Sequence, residues 1–220
     1  MSRMRFLTGQ LLLAIWLAGP AAIAATAQDN GLQRVQACNP CLIRPVPDGM
    51  PLRLYFGTAK TESGGKRVMS LTIASDDGRA SYELPVSAEM DIRPRSDFLI
   101  GTPDINFDGF GDLMLIVSQG TANAEAQYWV YDPPARHYSA LGVFPVFRID
   151  PTARALSTHT NDGEAGRLFH DATYEWHAVK LVKTSEVVQA WNHERTGVVR
   201  SRSVTRNGVL TVMSREIVGR

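Results

Sequence analysis

Cysteine is scarce in this chain, with two among 220 residues. That excludes a disulfide-dense scaffold and a four-cysteine zinc site. An excess of one charge sign is also missing: 23 Lys+Arg stand against 22 Asp+Glu, a formal net charge of +1. Nothing therefore points to nucleic acid, and no long charge block suggests a solvated tail. Apolar runs are short after the N-terminus, so no later segment reads as a membrane span. The chain has no G-x-S-x-G elbow, no H-E-x-x-H helix and no phosphate loop. His170 and His177 are seven residues apart, which on one strand places them on opposite faces rather than in one site. Nothing singles out an enzyme, and the chain is read as a non-enzyme.

What is present begins with an export signal. Arg3 and Arg5 form a charged start, residues 11–18 (LLLAIWLA) an apolar core, and Ala25-Thr26-Ala27 a small-residue cleavage site. Residues 1–27 are read as a signal peptide and the mature chain as periplasmic or secreted. Cleavage removes two arginines and no acid, which moves the formal charge from +1 to −1. Residues 28–51 are polar and proline-rich and read as an irregular lead-in; residues 52–220 read as a single all-β domain.

Cys38-Asn39-Pro40-Cys41 is the one thiol pair. It admits a redox centre, half of a metal site, or a small oxidised loop. No βαβ setting supports the first and no second C-x-x-C the second. Export favours a Cys38–Cys41 disulfide whose closed loop is so short that it adds little stability.

Strand signals recur through the domain with turn signals between them. Residues 52–56, 69–74, 80–84, 97–100, 113–118, 127–131, 143–149, 155–160 and 169–176 read as strands. Asp77-Gly78 and Asn207-Gly208 are hairpin signals, the latter joining 199–206 to 209–215. Residues 179–191 are ambiguous between helix and strand, and their β-branched content favours strand. The expected fold class is all-β and antiparallel, a β-propeller-like or multi-hairpin domain. Tyr128, Trp129, Tyr131, Tyr174 and Trp176 read first as core and cross-strand packing and second as a protein-contact surface. Residues 161–167 (NDGEAGR) read as an exposed loop.

The most telling stretch is Asp104-Ile105-Asn106-Phe107-Asp108-Gly109-Phe110-Gly111-Asp112. Alternate side chains of a loop winding about a point converge, so Asp104, Asn106 and Asp108 can meet on one cation. Gly109 permits the positive-φ bend, the Phe110 carbonyl can turn inward, and Asp112 closes the set. A donor set of oxygens alone favours Ca²⁺ over zinc or copper. The loop is not an EF-hand, because Leu115 stands where that motif needs a bidentate Glu. The alternative is a metal-free Asp/Asn/Gly turn between strands.

The Asp104-x-Asn106-x-Asp108-Gly109-x-x-Asp112 pattern resembles the calcium loop of FG-GAP propeller blades. With Phe107, Phe110, Leu113 and then Tyr128-Trp129-Val130-Tyr131-Asp132, it resembles a family of small exported bacterial proteins with a β-propeller-like fold. That family includes an immunity protein of a bacterium-killing type IV secretion system, which inhibits a lysozyme-like effector. The resemblance covers residues 97–132 best. It implies a Ca²⁺ cofactor on Asp104, Asn106, Asp108, Phe110 and Asp112. It also implies a protein partner, a peptidoglycan-hydrolase effector, that the chain binds and inhibits. The alternative is a calcium-dependent binding module for a surface protein or glycan, with no enzyme target.

Overall fold

Residues 113–117 are apolar without alternation, and the fold explains why: their strand has no solvent face. The structure is a computed structural model describing residues 33–34, 38–62, 66–86, 90–92 and 99–219. The expected signal peptide lies outside the described residues. Strands β1 (Gln33–Arg34), β2 (Cys41–Ile43), β3 (Leu52–Lys60), β4 (Lys66–Ser75), β5 (Ser81–Leu84) and β6 (Met90–Ile92) come first. β7 (Leu99–Gly101), β8 (Leu113–Gln119), β9 (Ala124–Asp132) and β10 (His137–Pro145) follow. Then come β11 (Arg148–Asp150), β12 (Ala155–Gly163), β13 (Leu168–His177), β14 (Lys180–Trp191), β15 (Val198–Arg206) and β16 (Val209–Gly219). Among the described residues no helix is long and apolar enough to cross a membrane.

These strands form three antiparallel meanders. The first sheet runs β2-β3-β4-β5, with β6 also on β4; the central sheet runs β1-β7-β8-β9-β10; the last runs β11 through β16 in sequence order. The chain is thus all-β and multi-hairpin, as expected. In the central sheet, Leu113 lies opposite Trp129 and Met114 opposite Tyr128. Leu113, Leu115, Trp129 and Tyr131 point one way, into a core shared with Leu54, Phe56, Leu71 and Ile73 of the first sheet. Met114, Ile116, Ala126 and Tyr128 point the other way, into a second core with Leu156 and Phe147. Side chains alternate across a strand, so two covered faces demand a continuous apolar run. Each large side chain fully buried this way contributes about 1.5–3 kcal/mol.

The hairpin signals are realised. Asn207 and Gly208 have φ of 51° and 78°, the two positive values of a type I′ turn joining β15 to β16. The ambiguous 179–191 segment is β14, paired on both sides by β13 and β15. Two readings are corrected. The lead-in supplies β1 and β2, which enter the central and first sheets. The strand expected at 143–149 is two strands: β10 starts earlier, at His137, and β11 begins after Pro145. A register shift at Gly142, whose φ is 133°, breaks the periodicity that would have revealed β10.

Tyr128, Trp129 and Tyr131 are buried, as core packing required, and Tyr174 and Trp176 are half-buried against the second core. Cys38 and Cys41 form the expected disulfide. Cys41 is buried in the first core and Cys38 packs against it. The loop expected at 161–167 is the end of β12 followed by a single 3-10 turn, Glu164–Gly166.

Candidate functional site

The acidic loop spans the connection from β7 to β8, on the central sheet, where the other two sheets can both reach it. Ile105 is fully buried in the second core, and its carbonyl accepts a 2.7 Å hydrogen bond from Trp176 Nε1 of the last sheet. Phe110 packs on the first core, its ring 6.2 Å from that of Tyr131. Gly111 donates its N–H to Pro45 O at 2.7 Å, and its own carbonyl accepts from the buried Tyr138 hydroxyl at 3.0 Å. A Cβ on Gly111 would stand 3.0 Å from Arg44 O, so glycine is what lets the lead-in approach. The loop is stapled from three sides.

Within it, the side-chain oxygens of Asp104, Asn106 and Asp108 accept from backbone and side-chain N–H groups of the loop itself. The Asp108 N–H is shared by Asp104 Oδ1 at 3.1 Å and Asn106 Oδ1 at 3.2 Å, so those two oxygens face one point. Asp104 Oδ2 accepts from Gly109 N at 2.9 Å, and Asn106 Nδ2 donates to Asp108 Oδ2 at 2.8 Å. Asp108 Oδ1 takes the Phe110 N–H at 2.9 Å. Phe107 and Gly109 hold φ of 60° and 89°, which turns the chain back between the ligand-type residues. The Phe107 ring lies under the Arg154 guanidinium, 5.5 Å from its centroid.

Asp112 has a different position. It is fully buried, with Oδ2 accepting from Ile105 N at 2.9 Å and Oδ1 from Tyr131 N at 2.8 Å. It thus ties the start of the loop to β9, leaving each oxygen one further lone pair. Burial pushes its pKa up to about 7; the two N–H donors oppose this, and the charges of Asp108 and Asp104 add to it. Among the described residues no three His, Cys, Asp or Glu side chains gather into a metal cluster. Asp104 and Asp108 supply two carboxylates, Asn106 a neutral oxygen, and Asp112 stands behind them. That donor set, oxygen-only and half-exposed, fits a hard cation.

Two histidine pairs lie elsewhere, on the last sheet. His159 Nδ1 is 2.6 Å from Asp171 Oδ1, directly across β12 and β13. His170 Nε2 is 3.0 Å from Glu186 Oε2, which also takes Lys183 Nζ at 2.7 Å. Burial raises the Glu186 pKa, but Lys183 and His170 outweigh it and the net direction is down. His177 lies at the end of β13, opposite Lys180, and joins neither pair. The His159–Asp171 pair had no signal in the sequence, because register alone brings the two together. A pocket of about 410 Å³ opens between the first and central sheets, lined by Val46, Met50, Ile73, Tyr82, Tyr131 and Arg136, among others.

No protein-family model and no curated protein matches the chain. Among solved structures it is similar to a Xanthomonas type IV secretion system related protein. The TM-score is 0.54 at 13% sequence identity, covering 83% of this chain and 97% of that one. The likeness is one of fold. It spans nearly all of the Xanthomonas chain, so the three-meander arrangement extends beyond this sequence.

Proposed function

We propose that this chain is an exported, calcium-binding inhibitor that acts by docking on a lysozyme-like peptidoglycan hydrolase in a type IV secretion setting. The observation that carries the reading is the acidic loop, stapled to all three sheets, on a fold shared with a type IV secretion system related protein. An inhibitor needs a rigid surface more than it needs chemistry, since loops fixed before binding avoid the entropic cost of ordering on contact. Asp104, Asn106 and Asp108 would hold the ion, with the Phe110 carbonyl and Asp112 completing the shell. Calcium would supply the positive charge that lets these carboxylates stand together. Asp104 and Asp108 would then keep their oxygens turned inward, and the Trp176 contact would fix the loop relative to the last sheet.

The test is a titration of the mature protein into a lysozyme-like effector, following release of soluble peptidoglycan in calcium and in chelator. Inhibition near equimolar ratio, weakened by chelation, is the expected result. Full hydrolysis at large excess of the protein in both conditions contradicts it.

One observation favours a second reading, a binding module for a surface protein or glycan. The pocket beside β4 and β5 is largely apolar, and the Arg136 guanidinium on its wall has no ion-pair or hydrogen-bond partner among the described residues. Apolar walls with few polar groups are the ordinary make-up of ligand sites. A failed inhibition assay together with glycan or peptide binding that Arg136→Ala abolishes selects this reading.

A further inference from the structure

The last sheet ends on a strand that nothing described covers. β16 has 11 residues, and all but Gly219 are exposed. Its Val209, Leu210, Val212, Met213, Ile217 and Val218 side chains are at or above a third exposed, Ile217 at 73% and Val209 at 64%. β15 pairs one edge of β16, and among the described residues no strand pairs the other. A long apolar edge with free backbone donors and acceptors is a template for another strand, and proteins normally blunt it with a short edge, a proline or lysines. β16 has no proline and no lysine, and its two charges are Arg215 and Glu216.

The unpaired charge around this edge is positive. Glu216 is paired with Arg200 at 3.3 Å. The guanidinium groups of Arg202, Arg206 and Arg215 have no partner among the described residues. Ser201 lies opposite Arg215 and Arg202 opposite Ser214, so Arg202 and Arg215 stand on opposite faces of the sheet. The edge therefore offers a cation on each face, apolar side chains on each face and an unpaired backbone between them. A membrane surface would need its apolar residues on one face alone. A second copy would bring further arginines against these.

We propose that β16 is a docking edge for an extended segment of a protein partner in which apolar and acidic residues alternate. The segment joins the last sheet as an added strand, with its backbone on β16, its carboxylates on one face beside Arg202 and Arg206, and its apolar side chains on the other face, beside Leu210, Val212 and Ile217. Main-chain pairing supplies affinity in such additions, and alternate side chains supply selectivity. The inference stands apart from the inhibitor reading, because it concerns the sheet edge and not the acidic loop.

The test uses two labelled peptides matched to the 11 residues of β16 in length, with the same apolar residues alternating with Glu in one and Lys in the other. Vesicles of phosphatidylglycerol and of phosphatidylcholine are measured beside them. The Glu peptide is expected to bind at least roughly tenfold tighter than the Lys peptide. Its binding weakens with salt and slows hydrogen exchange of β16 amides. Arg202→Glu and Arg206→Glu together, both exposed and checked for folding by circular dichroism, reverse the preference. A Glu peptide carrying proline at alternate positions, which cannot donate to the edge, loses binding while the full-length fold is untouched. Equal affinity for both peptides, no binding of either, or binding confined to phosphatidylglycerol vesicles overturns the proposal.

Discussion

Asp112 makes stability depend on pH in a way that is unusual for a carboxylate. An acid with a lowered pKa stabilises the fold above its unfolded value. Asp112 is raised from 3.8 to about 7 by burial, with Asp108 and Asp104 adding to it. Between those values the folded state holds a proton that the unfolded chain has released, so stability falls as pH rises. Raising the pH from 5 to 8 crosses about two pH units of that window, at about 1.4 kcal/mol each, for a loss of ~3 kcal/mol. Asp77 and Glu186 have lowered pKa values and act in the opposite sense, but their stabilisation is lost at more acid pH, below about 4 to 5. The assay is urea unfolding in chelator at pH 5, 6, 7 and 8. A loss of ~3 kcal/mol lowers the midpoint by roughly 1–3 M, since the dependence on urea is about 1–3 kcal/mol per M. Asp112→Asn keeps an acceptor for one of the two N–H groups and removes the titration, so its curve is flatter over the same range. A wild-type midpoint that is constant or rises from pH 5 to 8, or an unchanged slope in Asp112→Asn, excludes Asp112 as the source of the pH dependence.

Trp176→Phe removes the donor to Ile105 O and leaves a buried carbonyl unpaired. A cost of about 1–3 kcal/mol in thermal or urea unfolding is expected, with a smaller response of the melting temperature to calcium. Cys38→Ser combined with Cys41→Ser leaves a folded protein by circular dichroism, because only a short loop is closed, and intact mass shows the wild-type pair oxidised. Gly208→Ala places a Cβ at φ 78° in the β15–β16 turn and lowers stability by about 1 kcal/mol, measured by the same unfolding curves.

The features legible in the sequence were those with local causes. The Asn207-Gly208 turn, the β-branched β14 and the continuous apolar run of β8 each follow from neighbours in the chain. The meeting of Asp104 Oδ1 and Asn106 Oδ1 at the Asp108 N–H is likewise local, since it arises within one turn. Features without a local signal depend on distant residues. Asp112 reads as one more ligand-type residue until Tyr131, 19 residues on, is seen to donate to it. The Trp176 contact with Ile105 spans 71 residues. The His159–Asp171 pair exists only because β12 and β13 pair in that register. β1 and β2 are too short to show periodicity and are strands only because the central and first sheets accept them. β10 was obscured by the shift at Gly142, which puts two successive halves of the strand out of phase.

As proposed, the acidic loop is a calcium site on which the surrounding fold depends. Isothermal titration of calcium into chelator-treated protein, beside an Asp104→Ala and Asp108→Ala variant, tests it most directly. The expected result is one site with a dissociation constant on the order of 10⁻⁴–10⁻³ M, absent in the variant, and a wild-type melting temperature that rises with calcium by mass action. No heat of binding in the wild type, with superimposable melting curves in calcium and in chelator, contradicts it and leaves a metal-free turn.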